Sequence, residues 1–170
     1  MNSIKNLVFL GMMGSGKSAI GNLVSKKLDV PFIDIDNLVV ENSGMSISEI
    51  FKRKGEGFFR NLEEKITLKS LKKNKNIISL GGGGFVNDNI RKEILSNHLS
   101  FWLNWDESIL IKRIKHSKKR PLAFKSTEQE IRRIIKNRSK IYANAHFKIN
   151  CNNLTKTEIV KKIIKIYELN

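Results

Sequence analysis

The sequence is poor in the residues that cross-link small proteins or bind zinc. Its single cysteine, Cys151, excludes an internal disulfide and favours a cytoplasmic location. Its three histidines, His98, His116 and His146, are scattered along the chain without the spacing of zinc ligands. We therefore expect neither a disulfide framework nor a zinc site.

Long hydrophobic runs are also absent. No apolar stretch approaches the length of a membrane-spanning helix, about 20 residues. The first apolar run, Leu7–Leu10, is too short for the core of a signal peptide. The 170 residues, 40% of them hydrophobic and 28% charged, are enough for one α/β domain and too few for a second. We therefore expect a single cytoplasmic domain over residues 1–170 that does not associate with membranes.

Acidic residues are scarce. The chain has 16 Asp and Glu against 32 Lys and Arg, which gives a net charge of +16 at pH 7. Such an excess of positive charge is typical of proteins that bind nucleic acids, acidic surfaces or anionic substrates. The alternative is that it reflects only a composition rich in Lys, Asn and Ile. Basic residues recur on nearly every predicted helix, and no helix-turn-helix or RNA-binding aromatic motif is present, so we expect no nucleic-acid partner. Residues 112–140 differ, because they contain twelve basic residues and only two acidic ones, Glu128 and Glu130. This local excess of positive charge suits the binding of phosphates.

A glycine-rich motif near the N-terminus gives the first positive indication of function. The stretch GMMGSGKS, residues 11–18, has the spacing G-x-x-x-x-G-K-S of a loop that cradles a nucleoside triphosphate. It lies between an apolar run and a helical pattern, so backbone N–H groups and the positive end of a helix point at one spot. We expect Lys17 to reach the β- and γ-phosphates and the Ser18 hydroxyl to suit Mg²⁺. The predicted ATP-binding residues of this stretch are Gly14, Ser15, Gly16, Lys17, Ser18 and Ala19.

Short apolar runs alternate with helical patterns along the whole chain. This alternation predicts an α/β fold, a three-layer sandwich with a central five-stranded parallel sheet. The predicted strands are NLVFL, PFIDI, NIISL, LSFWL and HFKIN. The predicted helices are 18–28, 36–54 with a break near Gly44, 57–73, 88–97, 106–115, 128–143 and 155–168. Ligands of such sheets bind beyond the carboxyl ends of the strands, so the residues that follow each strand are candidates for the site.

Two aspartates follow the second predicted strand. Asp34 and Asp36 are two residues apart, and on a strand edge this spacing points both side chains to the same side. One carboxylate can then hold Mg²⁺ directly or through water, while the other accepts a proton from a hydroxyl nucleophile. The alternative is that one or both simply cap the helix that follows.

Four consecutive glycines, Gly81–Gly84, follow the third predicted strand. Each costs about 0.5–1 kcal/mol relative to alanine within regular structure. The run lies at the carboxyl edge of the sheet, so close approach of the backbone to a substrate explains it better than a flexible connector.

Two arginines stand in less obvious places. Arg60 begins a helical pattern beside two phenylalanines, and sequence alone favours an ion-pair ladder with Glu56 and Glu64 as its role. Arg138 falls on the apolar face of its predicted helix, where a guanidinium needs a partner. That partner is either a protein carboxylate or an anionic substrate.

A mobile lid is predicted at about residues 116–126. The segment KKRPL within it breaks the helical pattern, is basic and contains Pro121. We expect this loop to place Arg120 over the phosphates.

Together these motifs resemble those of the shikimate kinase family of the bacterial type, which has the nucleoside-monophosphate-kinase fold. The resemblance runs from about residue 5 to residue 142 and depends on the whole set rather than on the phosphate loop. The motifs are GMMGSGKS, DID, GEGFFRNLE, SLGGGG, KRPL and NRSKIY. They imply a P-loop kinase that transfers the γ-phosphoryl group of ATP to the 3-hydroxyl of shikimate, in aromatic amino acid biosynthesis. The products are shikimate 3-phosphate and ADP.

The resemblance also implies individual roles. A substrate-binding helical region is implied at about residues 36–62, and the family implies a monomer. The catalytic residues implied are Lys17, Asp36 and Arg120. The remaining roles implied are Lys17 and Ser18 for ATP with one Mg²⁺ ion, Asp34 for the water shell of that ion, Arg113 beside the adenine, Arg120 in the lid, and Asp36, Arg60, Gly82 and Arg138 for shikimate.

The sequence departs from the family in places. Gly84 extends the usual three glycines, Gly57 replaces a bulkier residue, and Ala123 stands where leucine is common. The segment NCNNLT matches the adenine-contacting segment only loosely. The alternatives are a kinase of another small hydroxy acid such as gluconate, a nucleoside-monophosphate kinase, a GTPase switch and a nucleic-acid-binding protein. The GTPase is disfavoured because NKNI, residues 74–77, lacks the aspartate of the guanine motif.

Overall fold

A five-stranded parallel sheet forms the middle layer of the protein. The structure is a computed structural model, and it describes residues 5–116 and 126–169. The strands are β1 Leu7–Leu10, β2 Phe32–Asp34, β3 Ile77–Ser79, β4 Leu99–Asn104 and β5 Phe147–Asn150. Their order across the sheet is β2-β3-β1-β4-β5, with every neighbouring pair parallel. Because β1 is central, the loop that follows it emerges from the middle of the carboxyl edge of the sheet.

Helices connect the strands and cover the sheet. Those of the described residues are α1 Lys17–Leu28, α2 Ile35–Ser43, α3 Ile47–Arg53, α4 Gly55–Leu71, α5 Asp88–Asn97, α6 Glu107–Lys115, α7 Glu128–Tyr142 and α8 Lys156–Glu168. The break predicted near Gly44 is present, because α2 ends there in the left-handed conformation at φ 65°. Capping boxes at Ser46, Thr127 and Thr155 fix the starts of α3, α7 and α8. None of these helices is long and apolar enough to cross a bilayer.

The core consists of two apolar layers, one on each face of the sheet. Successive residues of β1 are all buried and alternate between the layers, as expected for a parallel strand covered on both faces. Val8 and Leu10 pack against α2 to α7, whereas Leu7 and Phe9 pack against α1 and α8. The predicted three-layer α/β sandwich is therefore confirmed.

The predicted lid cannot be placed in this architecture. Residues 117–125, and Arg120 with them, lie outside the described residues. His116 and Ser126, the described residues on either side of them, follow α6 and precede α7.

His98 is a buried titratable group that lies between α5 and β4. Its side chain is 4% exposed, and within the described residues neither ring nitrogen has a hydrogen-bond partner. The Glu93 carboxylate lies 3.7 Å from Nε2. Burial lowers the pKa of His98, with a smaller contribution from the positive charge of Lys5, and the Glu93 carboxylate opposes the shift.

We expect His98 to make the free energy of unfolding depend on pH. The unfolded chain takes up a proton near the ordinary pKa of 6.5, while the folded protein resists it until a lower pH. Stability is therefore lost as the pH falls from about 6.5 towards the lowered pKa. The substitution His98→Gln should remove this part of the dependence. Urea denaturation of both proteins at pH 7.5 and pH 5 tests it, and a stability difference that is the same at both pH values would contradict the prediction.

Candidate active site

The phosphate loop connects β1 to α1. Gly14 and Gly16 have φ values of 80° and 88°, a left-handed conformation that favours glycine. Gly16 is the N-cap of α1 and provides no side-chain cap, so the first N–H groups of the helix are directed towards the loop. The loop and the helix N-terminus together form a cradle suited to an anion, as the sequence predicts.

Lys17 crosses the inside of this loop. The residue is buried, and its Nζ atom donates to the carbonyl oxygens of Gly11, at 2.9 Å, and Met12, at 3.0 Å. The ammonium group is therefore held at the cradle by backbone oxygens. A phosphate in the cradle would compete with these two carbonyls for the same cation, with the advantage of a full negative charge.

The structure corrects the interpretation of the two aspartates. β2 ends at Asp34, and Asp36 lies in the first turn of α2, so the two residues do not share a strand edge. The chain enters the helix at the buried Ile35. Asp34 caps this helix by accepting the N–H group of Asn37 at 3.2 Å, which makes the capping alternative correct for this residue.

Asp34 also faces the phosphate loop. The Ser18 hydroxyl donates to Asp34 Oδ2 at 2.5 Å. A hydroxyl and a carboxylate are hard oxygen ligands of the type that Mg²⁺ prefers. A magnesium ion bound with a nucleotide usually takes one or two protein oxygens and completes its shell with phosphate and water, so these two residues fit such an ion.

A cavity of about 350 Å³ opens beside the loop and brings the predicted substrate residues together. Asp36, Arg60, Gly82 and Arg138 all line it, although they come from α2, α4, the loop after β3, and α7. Its apolar walls include Met12, Met13, Ile47, Phe51, Phe59, Ile131 and Ile134. Besides Asp36, the carboxylates of Glu56 and Glu63 line the cavity, and both pair with Arg60. Two guanidinium groups among these carboxylates and apolar walls suit a small, polar, anionic molecule.

Arg138 forms no ion pair with a carboxylate among the described residues, although the Glu63 carboxylate is near enough to interact with it electrostatically. Its Nη1 atom donates to the Gly82 carbonyl at 3.3 Å and lies 3.9 Å from the sulfur of Met12. The hydroxyl of Tyr142, one turn further along α7, donates to the same carbonyl. Burial raises the pKa of Tyr142 to about 12, so it remains a donor at neutral pH. Of the two partners considered for Arg138, an anionic ligand therefore has the stronger support.

Sequence reasoning missed a residue of this cavity, Glu63. Its carboxylate is almost fully buried and accepts from Arg60 Nη1 at 2.8 Å. Burial raises the pKa of Glu63, Arg60 opposes the shift, and the nearby Asp36 adds to it. Arg60 also pairs with Glu56 at 3.3 Å, whereas the predicted pairing with Glu64 is wrong. Glu64 instead accepts from the side chains of two asparagines in and before α5.

Side chains of the cavity explain two of the four consecutive glycines, Gly81 and Gly83, whereas a methyl group on Gly84 would make ordinary contacts. A methyl group on Gly81 would overlap the carboxylate of Glu63 and lie 2.7 Å from Asp36 Oδ1. A methyl group on Gly83 would lie 2.9 Å from Cζ of Arg60. Protein side chains therefore approach the backbone of these two glycines closely, and they need this space to line the cavity. The close approach of a substrate to the glycines stays a prediction.

Five of the predicted ATP-binding residues, Gly14, Ser15, Gly16, Ala19 and Arg113, line a second cavity of about 290 Å³ beside the loop, whereas Lys17 and Ser18 do not line it. Arg113 stands on its wall, and its Nη1 atom donates to the Gly14 carbonyl at 3.2 Å. The other lining residues are Gly14, Ser15, Gly16, Ala19, Ile20, Trp105, Leu154, Lys156 and Ile159. The phosphate loop thus separates two cavities, one lined by cationic and acidic side chains and one open beside Arg113.

Known proteins share both the sequence and the fold. A sequence model of a family described as shikimate kinase matches residues 13–168. A shikimate kinase from Thermodesulfovibrio yellowstonii is 37% identical over 166 residues, which cover 97% of this chain and 96% of the relative. The structure of shikimate kinase from Acinetobacter baumannii in complex with shikimate matches with a TM-score of 0.92 and 25% identity, over 98% of this chain and 94% of that one.

A gluconokinase provides the contrast. The enzyme from Sinorhizobium meliloti matches over 97% of this chain and 92% of its own length, with a TM-score of 0.58 and 14% identity. That likeness extends to the fold alone. The sequence similarity therefore favours the first family over the gluconate alternative.

Proposed function

The chain belongs to the shikimate kinase family, and from this membership we propose how its own residues carry out the reaction. The protein is an ATP-dependent kinase that transfers a phosphoryl group to a hydroxyl of shikimate. The observation that supports the assignment of residues is the cavity beside the phosphate loop. It presents two guanidinium groups, and the Asp36 carboxylate among others, to one small molecule.

Arg60 and Arg138 bind the carboxylate of shikimate. Both guanidinium groups line the cavity, and a planar group with several N–H donors suits two-pronged bonding to a carboxylate. The Glu63 carboxylate binds Arg60, and the Gly82 carbonyl accepts a hydrogen bond from Arg138. The ring is thereby fixed at one end, and α2 to α4, about residues 36–62, form the substrate-binding region.

Asp36 and Lys17 act at the reacting end. Phosphoryl transfer depends on alignment and on neutralisation of charge more than on covalent help from the protein. Asp36 orients the 3-hydroxyl and accepts its proton, while Gly82 contacts the ring. Lys17 stabilises the negative charge of the transferred group, together with Arg120 from the proposed lid at about 116–126.

Ser18 and Asp34 would hold the single magnesium ion of the nucleotide, Asp34 through water. When bound, this ion neutralises charge on the phosphates. We further propose that the protein works as a cytoplasmic monomer without a nucleic-acid partner, since basic residues are spread over its helices rather than gathered on one motif.

Release of ADP tests the proposed function. Purified protein with Mg·ATP should release ADP in the presence of shikimate and not with gluconate or with nucleoside monophosphates. A signal with a nucleotide or with gluconate alone would overturn the substrate assignment. Omission of Mg²⁺ should abolish the signal.

The substitution Arg138→Lys tests the carboxylate assignment. A lysine retains the charge but replaces a planar two-pronged donor with a point charge. We expect KM for shikimate to rise about tenfold or more, which corresponds to about 1.5–3 kcal/mol of charged hydrogen bonding. KM for ATP and the melting temperature should change little.

Two controls make this result specific. Arg133→Lys changes an exposed arginine of the same helix and should leave both KM values unaltered. A shikimate analogue without the carboxylate should bind the wild type poorly, and Arg138→Lys should weaken its binding little further. A full additional loss with the analogue would refute contact between Arg138 and the carboxylate.

A further inference from the structure

Trp105 lies against the outside of the phosphate loop, where sequence reasoning assigned no function. The residue directly follows β4 and precedes α6. Its indole Nε1 atom donates to the carbonyl oxygen of Ser15 at 2.9 Å. Its ring is partly buried and packs against both apolar layers of the core. The indole is therefore a rigid donor anchored in the body of the protein.

Arg113 rests on this ring. The guanidinium carbon lies 3.9 Å from the centre of the indole, within the range of a cation–π interaction. The same side chain donates to the carbonyl of Gly14 at 3.2 Å. Trp105 and Arg113 thus bind the carbonyls of two successive loop residues, and each restrains the other.

The contact of Trp105 with the Ser15 carbonyl fixes the direction of one loop N–H group. The described residues contain no cis peptide bond, and in a planar trans peptide the C=O and N–H groups point in opposite directions. When Trp105 holds the Ser15 carbonyl outward, the N–H group of Gly16 is turned to the inner side of the loop. That side is the anion cradle at the start of α1.

The segment that carries Trp105 is itself restrained. The N–H group of Asp106 donates to Asn152 Oδ1 at 2.9 Å, and Asn152 Nδ2 donates back to Asp106 Oδ1 at 2.7 Å. This reciprocal pair ties the loop after β4 to the loop after β5. The indole therefore cannot shift without breaking contacts to a second loop.

We propose that Trp105 is a positioning residue for the nucleotide. It orients the peptide between Ser15 and Gly16 for the phosphates, and it holds the Arg113 guanidinium at the wall of the second cavity for the base. The proposal rests on the proposed function insofar as the ligand is ATP or ADP. Its consequence is that affinity for the nucleotide depends on Trp105, whereas affinity for shikimate does not.

Two substitutions separate the two contacts. Trp105→Phe removes the N–H donor and keeps an aromatic face for Arg113, whereas Trp105→Leu removes both. We expect the Kd for Mg·ADP, measured by calorimetry without shikimate, to rise about threefold to tenfold in Trp105→Phe. Trp105→Leu should lose more affinity, and in both variants KM for ATP should rise while KM for shikimate stays constant.

Trp102→Phe is the matched control. This second tryptophan is buried in β4, where its ring packs near that of Tyr142. Its replacement should leave the Kd for Mg·ADP unchanged. It also leaves Trp105 as the single tryptophan, so its fluorescence should respond to added Mg·ADP.

The outcomes decide between positioning and mere packing. If Trp105→Phe and Trp105→Leu lower the melting temperature but leave the Kd for Mg·ADP unchanged, Trp105 only stabilises the fold and the proposal is wrong. Losses from Trp105→Leu and Arg113→Ala that add fully in the double variant would refute the stacking of Arg113. Because ADP binding requires no phosphoryl transfer, these results stand even if the protein fails to phosphorylate shikimate.

Discussion

Replacement of Lys17 by alanine is expected to lower kcat by about 10²–10³-fold, the usual effect of removing one group that stabilises transition-state charge. Lys17 is buried at the anion cradle, where its ammonium group is held by the carbonyls of Gly11 and Met12. In the reaction this cation faces the charge that develops on the transferred phosphoryl group. Alanine leaves that charge without its closest cation from the loop.

The fold should survive this change. Among the described residues, Lys17 donates to two loop carbonyls and belongs to neither apolar layer, so we expect a modest loss of stability. Activity is measured by ADP release well below the melting temperature of the variant. Lys26→Ala, which removes an exposed lysine from the last turn of the same helix, serves as the control and should retain full activity. Near-normal kcat in Lys17→Ala would show that this loop is not the catalytic one.

The fold could be predicted because strands and helix starts are encoded by short, contiguous stretches of the sequence. The central strands are buried on both faces, so they read as continuous apolar runs such as LVFL. Helices α3, α7 and α8 begin at capping boxes, which are motifs of four residues. Arg138 was found by the same logic, since a charge on an apolar helical face is visible in the sequence.

The site was predicted less completely because parts of it depend on contacts between distant segments. Glu63 appears in the sequence as one of several charges on α4, and only its packing against Gly81 buries it. Trp105 falls between the predicted strand LSFWL and the predicted helix 106–115, and its contact with Ser15 spans 90 residues. The strand interpretation of Asp34 and Asp36 failed because the chain enters α2 at Ile35, one residue earlier than the pattern indicated.

Asp36→Asn is expected to lower kcat by about 10²–10⁴-fold, the range for loss of a general base. Asp36 lines the cavity in the first turn of α2, and its Oδ1 atom lies against Gly81. An asparagine has the same shape, so the cavity should keep its form. The asparagine side chain can neither accept the proton of the substrate hydroxyl nor carry a negative charge. KM for ATP should therefore change much less than kcat.

Substitution of the two aspartates should have different effects on the Mg²⁺ requirement and on kcat. Asp34→Asn alters the carboxylate that faces Ser18, so we expect it to raise the Mg²⁺ concentration needed for half-maximal activity, with a smaller effect on kcat at saturating Mg²⁺. Asp36→Asn should leave the Mg²⁺ requirement unchanged and lower kcat at every Mg²⁺ concentration. Both variants are compared by ADP release at saturating shikimate across a Mg²⁺ series. If Asp34→Asn abolishes turnover at saturating Mg²⁺ while Asp36→Asn remains active, the roles proposed for the two carboxylates are reversed.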